Sequence, residues 1–366
     1  MERGARILVF CLPGIGDALL FTPAFRALKE GRPDAHVTAL VMFAGTRDIL
    51  LDNPYVDEVI LFDFIAEGAL RSLRFVWGLR RRGFDVTILG YPSNRLEYNL
   101  IARLIGAKMR VGHRYRRLDW VCGNWLNTHT VQEDDALSNI DENLRLASIV
   151  TGAQHSDTDV ELALDTHARA YAVRWLCERR LTGRTLVGFH PGGSTRKNHR
   201  NKRWAWERYA ELGGMLARDC GASILVFGGA DETTECKQIA SGIGADAHVV
   251  NTMDLRQTCA LINVCAHFVS NDSALMHLAG ALGVPTTGIF GPTSAPWVRI
   301  PGAPRREVSL GLACQPCFRY SPRHLSCVYG DFRCLADLKA ERVAEVVKRA
   351  LAEEQKERIP AAEAVL

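Results

Sequence analysis

Short apolar runs recur along the chain, each followed by a longer stretch whose apolar residues fall at helical spacing. In the first half this pattern predicts strands at 7–11, 35–42, 59–62, 86–89 and 110–112, with helices at 17–30, 70–82 and 96–105. β-rich runs separated by helices of ten or more residues indicate βαβ units and a parallel sheet. From 119 to 165 the pattern turns acidic and irregular, apart from a helical stretch at 141–151, and reads as the exit from a first domain. A connecting helix is expected at 167–180. The alternation then restarts, with strands at 186–190, 223–227, 247–249, 267–270 and 286–290, and helices at 206–218, 233–243, 255–264 and 273–282. A charged amphipathic helix at 338–356 and a frayed tail at 359–366 close the chain. The expectation is an α/β protein of two Rossmann-like, doubly wound domains, 1–165 and 166–337, followed by a C-terminal helix and tail, 338–366. Open α/β sheets bind ligands at the carboxyl ends of their strands, so two such domains place a cleft between them.

Length and composition agree with this division. At 366 residues, 47% hydrophobic and 23% charged, the chain has ample core for two domains. No apolar run of about eighteen residues occurs, so no membrane span is expected. The first residues pass directly into a strand and not into a signal peptide, which points to a cytoplasmic protein. A formal net charge of +4 makes no case for a nucleic-acid partner. Its distribution says more. Between Arg71 and Arg117 there are twelve Lys/Arg against two acids, whereas 119–165 holds ten acids and one base, Arg145. The basic segment suits an anionic partner or membrane surface; solvated helix faces are the plainer alternative. Of eleven cysteines, seven are scattered and read as small buried hydrophobes. The other four, Cys314, Cys317, Cys327 and Cys334, cluster, and would either hold a structural zinc ion or line a thiol-rich loop.

The clearest chemistry lies in His190-Pro191-Gly192-Gly193-Ser194 and Asn271-Asp272-Ser273-Ala274-Leu275-Met276-His277, each after a strand. Gly192 and Gly193 let backbone approach a ligand closely, and Ser194 and Thr195 add hydroxyl donors; a tight turn is the alternative. The second segment opens a helix, whose first N–H groups are unpaired and partially positive, a seat for phosphate. Lys202, in a basic run, would supply a mobile cation to the same phosphate. Asp272 would grip sugar hydroxyls or accept from its own turn, and His277 would reach either phosphate or core. In Gly228-Gly229-Ala230-Asp231-Glu232 the acids suit a ribose diol. The chain reads as built to hold the diphosphate of an activated sugar.

Leu12-Pro13-Gly14-Ile15-Gly16-Asp17 also follows a strand, but a dinucleotide fingerprint fails there. Leu19 occupies the third glycine position, and the second strand ends without an acid. Asp17 is either a helix cap or a general base for an acceptor hydroxyl.

Taken together, several segments resemble the family 9 glycosyltransferases, the bacterial lipopolysaccharide heptosyltransferases. They are Gly16-Asp17 with Thr22-Pro23-Ala24, His190-Pro191-Gly192 with Lys202-Arg203-Trp204, Asn271-Asp272-Ser273 with His277-Leu278-Ala279, Gly283-Val284-Pro285, Phe290-Gly291-Pro292-Thr293 and the late cysteines. The resemblance spans nearly the whole chain. It implies a GT-B fold and an inverting transfer with no catalytic metal and no cofactor beyond the nucleotide sugar. Asp17 matches the catalytic base and Lys202 the phosphate-contacting lysine. Asp272 with the amides of Ser273, Ala274 and Leu275 matches the site of the donor sugar and diphosphate. The implied donor is ADP-heptose. The implied acceptor is the growing lipopolysaccharide core, an anionic lipid-linked glycan met by a peripheral protein at the inner face of the cytoplasmic membrane. Gly14, Gly16, Arg80 and Arg114 are assigned to that acceptor. The family commonly carries a basic residue before its glycine turn, where this chain has Phe10-Cys11-Leu12-Pro13, and the run 196–203 is unusually basic. A transferase using another nucleotide sugar or glycan, or a nonenzymatic nucleotide-sugar binding module, are the rival readings.

Overall fold

The computed structural model describes residues 4–117, 119–194, 196–252, 254–320 and 324–363. Six strands form the first sheet: β1 (Arg6–Cys11), β2 (His36–Val41), β3 (Glu58–Leu61), β4 (Val86–Leu89), β5 (Met109–Arg114) and β6 (His129–Gln132). Six more form the second: β7 (Leu186–His190), β8 (Ser223–Phe227), β9 (Ala247–Val250), β10 (His267–Asn271), β11 (Thr286–Ile289) and β12 (Arg305–Val308). The orders are β3-β2-β1-β4-β5-β6 and β12-β11-β10-β7-β8-β9, with every pairing parallel. Numbered within its own sheet, each follows the same doubly wound order, winding outward in both directions from its central pair. Those central pairs, β1/β4 and β7/β10, are the switch points where successive crossovers leave in opposite directions and open a crevice at the strands' carboxyl ends.

The central strands are buried on both faces, which is why they read as unbroken apolar runs. Two strands had no such signature in the sequence. β6 and β12 lie at sheet edges, are four residues long and carry mostly exposed or partly exposed side chains. Short polar edges resist pairing with other chains, and lose the hydrophobic pattern in doing so. A short helix, Ala44–Leu50, adds to the elements expected from the sequence.

The helix expected at 17–30 is two helices, Ile15–Leu19 and Thr22–Gly31. Pro23 has no N–H to give the Leu19 carbonyl four residues earlier, so the helix cannot run through. The Thr22 hydroxyl donates to that carbonyl instead, at 2.8 Å. The same hydroxyl accepts from the Glu161 N–H at 2.9 Å, and the buried Arg26 guanidinium bonds Asp157 and Glu161. The acidic passage is thereby sewn onto the first unit.

The chain divides into two compact units. One comprises Met1–Ala163, Pro296–Pro301 and Arg319–Arg323; the other comprises Leu164–Ala295, Gly302–Phe318 and His324–Leu366. The expected boundary at 165/166 thus moves by two residues, and two short later pieces return to the first unit. The last helix, Ala340–Glu363, belongs to the second unit and is not a separate appendage. Its Val343, Val347 and Leu351 share a core with Trp204, Tyr209 and Leu216.

Candidate functional site

In the second unit, β7 and β10 are neighbours in register, with Ser270 opposite His190. The two segments singled out in the sequence therefore emerge side by side at the switch point. Asn271, the last residue of β10, ties them together. Its Oδ1 accepts from the Trp204 N–H (3.0 Å) and the Tyr209 hydroxyl (3.1 Å), and its Nδ2 donates to the Pro191 carbonyl (2.5 Å). In the sequence Asn271 is one residue of a motif among several. Nothing in a sequence marks a residue whose partners come from three separate elements.

The following helix, Ala274–Ala281, has Ser273 as its N-cap, yet the Ser273 hydroxyl does not cap it. It lies 2.8 Å from His190 Nδ1 and 2.9 Å from Ser270 Oγ. Among the described residues the helix start thus has no side-chain cap hydrogen bond, beside the half-exposed Ala274 and Leu275. This is the electrostatic condition for binding an anion at a helix start.

Lys202, at the end of the 3-10 segment Arg196–Lys202, donates from Nζ to Asp272 Oδ2 at 2.8 Å, and the Phe318 ring centroid lies 5.0 Å from the same nitrogen. The lysine expected to be mobile is anchored beside the helix start. Burial pushes the Asp272 carboxyl up, but Lys202 and then His277 outweigh it and hold the group at about 2. His277 Nε2 is 3.8 Å from Asp272 Oδ1, and burial depresses its pKa to about 4 despite that carboxylate, aided by Arg305 and Lys202. The imidazole is neutral at physiological pH.

Glu232, the acid expected to suit a ribose, is hydrogen-bonded within its own unit. Its Oε1 accepts from the Gly193 N–H and Arg203 Nη2, both at 2.8 Å, and its Oε2 from the Gly229 N–H at 3.1 Å, with His190 Nε2 at 3.4 Å. A carboxylate has about four acceptor positions, and all are engaged inside the unit. Burial raises its pKa, while the His190 contact and the two amides bring it down to about 2. The carboxylate fills the space where a Cβ on Gly192 would sit, within 2.0 Å of Oε1. Gly192 is thus required by Glu232, and Gly193, at φ 147°, by the backbone turn. Arg203 completes the group through Glu235 and the Gly193 carbonyl. Ser194 is exposed at the end of this turn, and Thr195 lies outside the described residues.

These shifts set an acid sensitivity. Between about pH 6.5 and 4 the unfolded chain protonates His277 while the folded one does not. Between about pH 4.5 and 2 the same holds for Glu232. The unfolded state binds more protons in both windows, so stability falls as pH falls through them. Thermal midpoints measured against pH should show this slope, and Glu232→Gln should flatten its part below pH 4.5. An unchanged slope in the variant would detach Glu232 from it.

In the first unit, Gly14, Gly16 and Asp17 lie together where β1 ends. Gly14 holds the N-cap position of Ile15–Leu19 and Asp17 is in the first turn, so Asp17 is not the cap. Gly14 lies against the Asp17 carboxylate, since a Cβ there would be 3.5 Å from Oδ2. Burial and then the charge of Asp17 push up the pKa of the Cys11 thiol at the end of β1. Gly90, after β4, permits the closest approach at this switch point: a Cβ there would be 2.9 Å from the Phe10 carbonyl oxygen. Arg114 ends β5, on the same carboxyl edge as Asp17. Arg80 does not join them. The helix Gly68–Arg81 connects two parallel strands and so runs opposite to them, leaving Arg80 at the amino edge, where it donates to the Leu104 carbonyl at 3.0 Å.

Among the late cysteines, the Cys334 thiol is pushed up to about 11, by burial and then by Cys317, Cys314 and Cys327. Among the described residues, however, no group of three or more His, Cys, Asp or Glu side chains is arranged to hold a metal ion.

A profile of glycosyltransferase family 9 (heptosyltransferase) matches residues 72–326. The lipopolysaccharide heptosyltransferase 2 of Salmonella typhimurium is 25% identical over 362 residues, covering 95% of this chain and 99% of that one. The lipooligosaccharide heptosyltransferase 2 of Campylobacter jejuni is 31% identical over 178 residues; there the match spans 46% of this chain and about half, 52%, of the relative. In three dimensions, the structure of E. coli ADP-heptose lps heptosyltransferase II superimposes with a TM-score of 0.72 at 23% identity, covering 96% of this chain and 99% of that one. The likeness establishes the GT-B fold.

Proposed function

Since the chain belongs to glycosyltransferase family 9, the heptosyltransferases, we propose that it moves heptose from ADP-heptose to a lipopolysaccharide core acceptor, with inversion and without a catalytic metal. The observation that carries this reading is the uncapped start of helix Ala274–Ala281 with the Lys202–Asp272 pair beside it. The names of the related heptosyltransferases support the sugar and the acceptor.

In this mechanism the second unit holds the nucleotide sugar, and Asp272 orients its sugar hydroxyls. As the bond from the anomeric carbon to the diphosphate breaks, negative charge grows on the leaving oxygen. Lys202 and the amides of Ser273, Ala274 and Leu275 meet it. Donors fixed in advance cost no reorganisation at that moment, and each is worth a few kcal/mol of barrier, roughly a hundredfold or more in rate. The first unit supplies Asp17, which takes the proton from the acceptor hydroxyl as that oxygen attacks the face opposite the diphosphate. Gly14, Gly16 and Arg114 contact the acceptor. Arg203, Glu232 and His190 hold the glycine turn in place. The protein works as a peripheral enzyme on the inner face of the cytoplasmic membrane; no described helix is long and apolar enough to cross one.

The test is incubation with ADP-heptose and a deacylated lipopolysaccharide core, reading ADP release together with the product's mass and anomeric configuration. One added heptose of inverted configuration is expected, at a rate unaffected by EDTA. Preference for another nucleotide sugar would replace the donor, retention would overturn the single displacement, and loss on chelation restored by magnesium would overturn the metal-free step.

A further inference from the structure

The outer faces of three neighbouring segments in the first unit do not look like an ordinary solvated surface. On helix Gly68–Arg81, Val76 and Leu79 point into the core, while Leu70, Leu73 and Trp77, spaced i, i+3, i+7, form a second apolar stripe facing outward. Leu70 is 85% exposed. The next helix, Leu96–Ile105, repeats the arrangement, with Leu96, Leu100 and Leu104 exposed at i, i+4, i+8 and Tyr98, Ala102 and Ile105 buried. The two helices are joined by Arg80, which bonds the Leu104 carbonyl and lies 5.9 Å from the Trp77 ring centroid.

A third element extends the surface. Asn99 donates to the Cys122 carbonyl at 2.8 Å, and the Leu96 side chain abuts Gly123. This fixes segment 119–126 against the second helix. It carries Trp120, 78% exposed, and Trp125, 59% exposed, with ring centroids 5.7 Å apart and nearly parallel planes. Exposed apolar side chains scattered singly need no explanation, but contiguous ones do.

Charge identifies the partner. Arg74, Arg81, Arg103, Lys108 and Arg117 are exposed around these stripes, and none is within ion-pair distance of a carboxylate among the described residues. Of the acids near these stripes, Glu97 is exposed on the second helix, and two others are engaged. Glu67 bonds Arg71, and Asp119 accepts from the Tyr115 N–H and from Asn124. Arg82 does not belong to this surface, because Glu58 holds it in an ion pair. Leucines flanked by arginines, with tryptophans at one end, match a bilayer interface: acyl boundary for the leucines, headgroup level for the indoles and anionic phosphates for the cations.

We propose that the outer faces of Gly68–Arg81 and Leu96–Ile105, with Trp120 and Trp125, dock directly on an anionic lipid bilayer. This inference rests on the reading that the acceptor is lipid-linked, and it names the surface that brings the protein to it. The two proposals are tested separately. Flotation with phosphatidylcholine vesicles, with and without phosphatidylglycerol, is compared for the wild type and three variants: Trp120→Ser/Trp125→Ser, Leu70→Ser/Leu73→Ser/Trp77→Ser and Arg74→Glu/Arg81→Glu. ADP-heptose binding and transfer to the water-soluble core serve as controls.

The wild type should float with anionic vesicles only, and each variant should lose partitioning by on the order of tenfold or more. The controls should not change. Wild type remaining in the aqueous fraction, or variants floating as it does, would overturn the proposal. So would a self-associating wild type made monomeric by the apolar variants, which would make a second copy the occupant. Should an apolar variant lose donor binding through misfolding, the arginine pair decides. Absent transfer with intact flotation would count against the enzymatic reading alone.

Discussion

Asp17→Asn is expected to lower kcat on the order of 10²- to 10⁴-fold, the usual contribution of a positioned general base, while ADP-heptose binds as tightly as to the wild type. The amide keeps the size and polarity of the carboxylate but cannot accept a proton from the acceptor hydroxyl. Asp17 belongs to the first unit, and the uncapped helix that would bind the donor diphosphate belongs to the second. Donor affinity should be insensitive to it, because the carboxylate would act on the acceptor proton and not on the donor. The pH profile gives an independent readout. The acid limb of wild-type kcat reports protonation of the base, and the variant should lack it. Turnover within a few-fold of wild type, or a parallel loss of nucleotide binding, would remove Asp17 from the role of base.

Lys202→Ala should weaken donor binding and slow transfer together, with a combined loss in kcat/KM on the order of 10²- to 10³-fold. In the proposed mechanism its ammonium would meet charge already present on the bound diphosphate, which grows as the bond breaks. A complication follows from the geometry: Lys202 is also the partner of Asp272, 2.8 Å away and largely buried. Removing it leaves an uncompensated carboxylate and costs stability for reasons unrelated to catalysis. Adding Asp272→Asn to Lys202→Ala should restore the thermal midpoint and leave transfer low. Activity recovered along with stability would make Lys202 a structural residue.

The resemblance to family 9 was legible because its motifs sit on strand ends, where residue type and local spacing carry the information. The alternation of apolar runs and helices was enough for two parallel α/β units. So was the pairing of a glycine turn after β7 with a helix start after β10. These are local properties: burial on two faces writes a continuous hydrophobic run, and a helix start needs only its own neighbours.

What the sequence alone could not decide depended on partners far along the chain. Edge strands β6 and β12 bury little and so leave no apolar period. Glu232 reads in the sequence as an acid suited to a ribose; the fold also brings His190, Gly193, Gly229 and Arg203 around its carboxylate. Ser273 holds the N-cap position, yet the fold places its hydroxyl against His190 and Ser270, and it does not cap the helix. Arg80, Arg81 and Arg82 are consecutive, yet the helix and its neighbours give them three environments: a carbonyl on the next helix, open solvent and an ion pair with Glu58. Sequence determined which groups were present and which element carried them. Only the tertiary structure decided which of their hydrogen-bonding and charged atoms were already satisfied, because each such atom has a fixed number of partners and the fold chooses them.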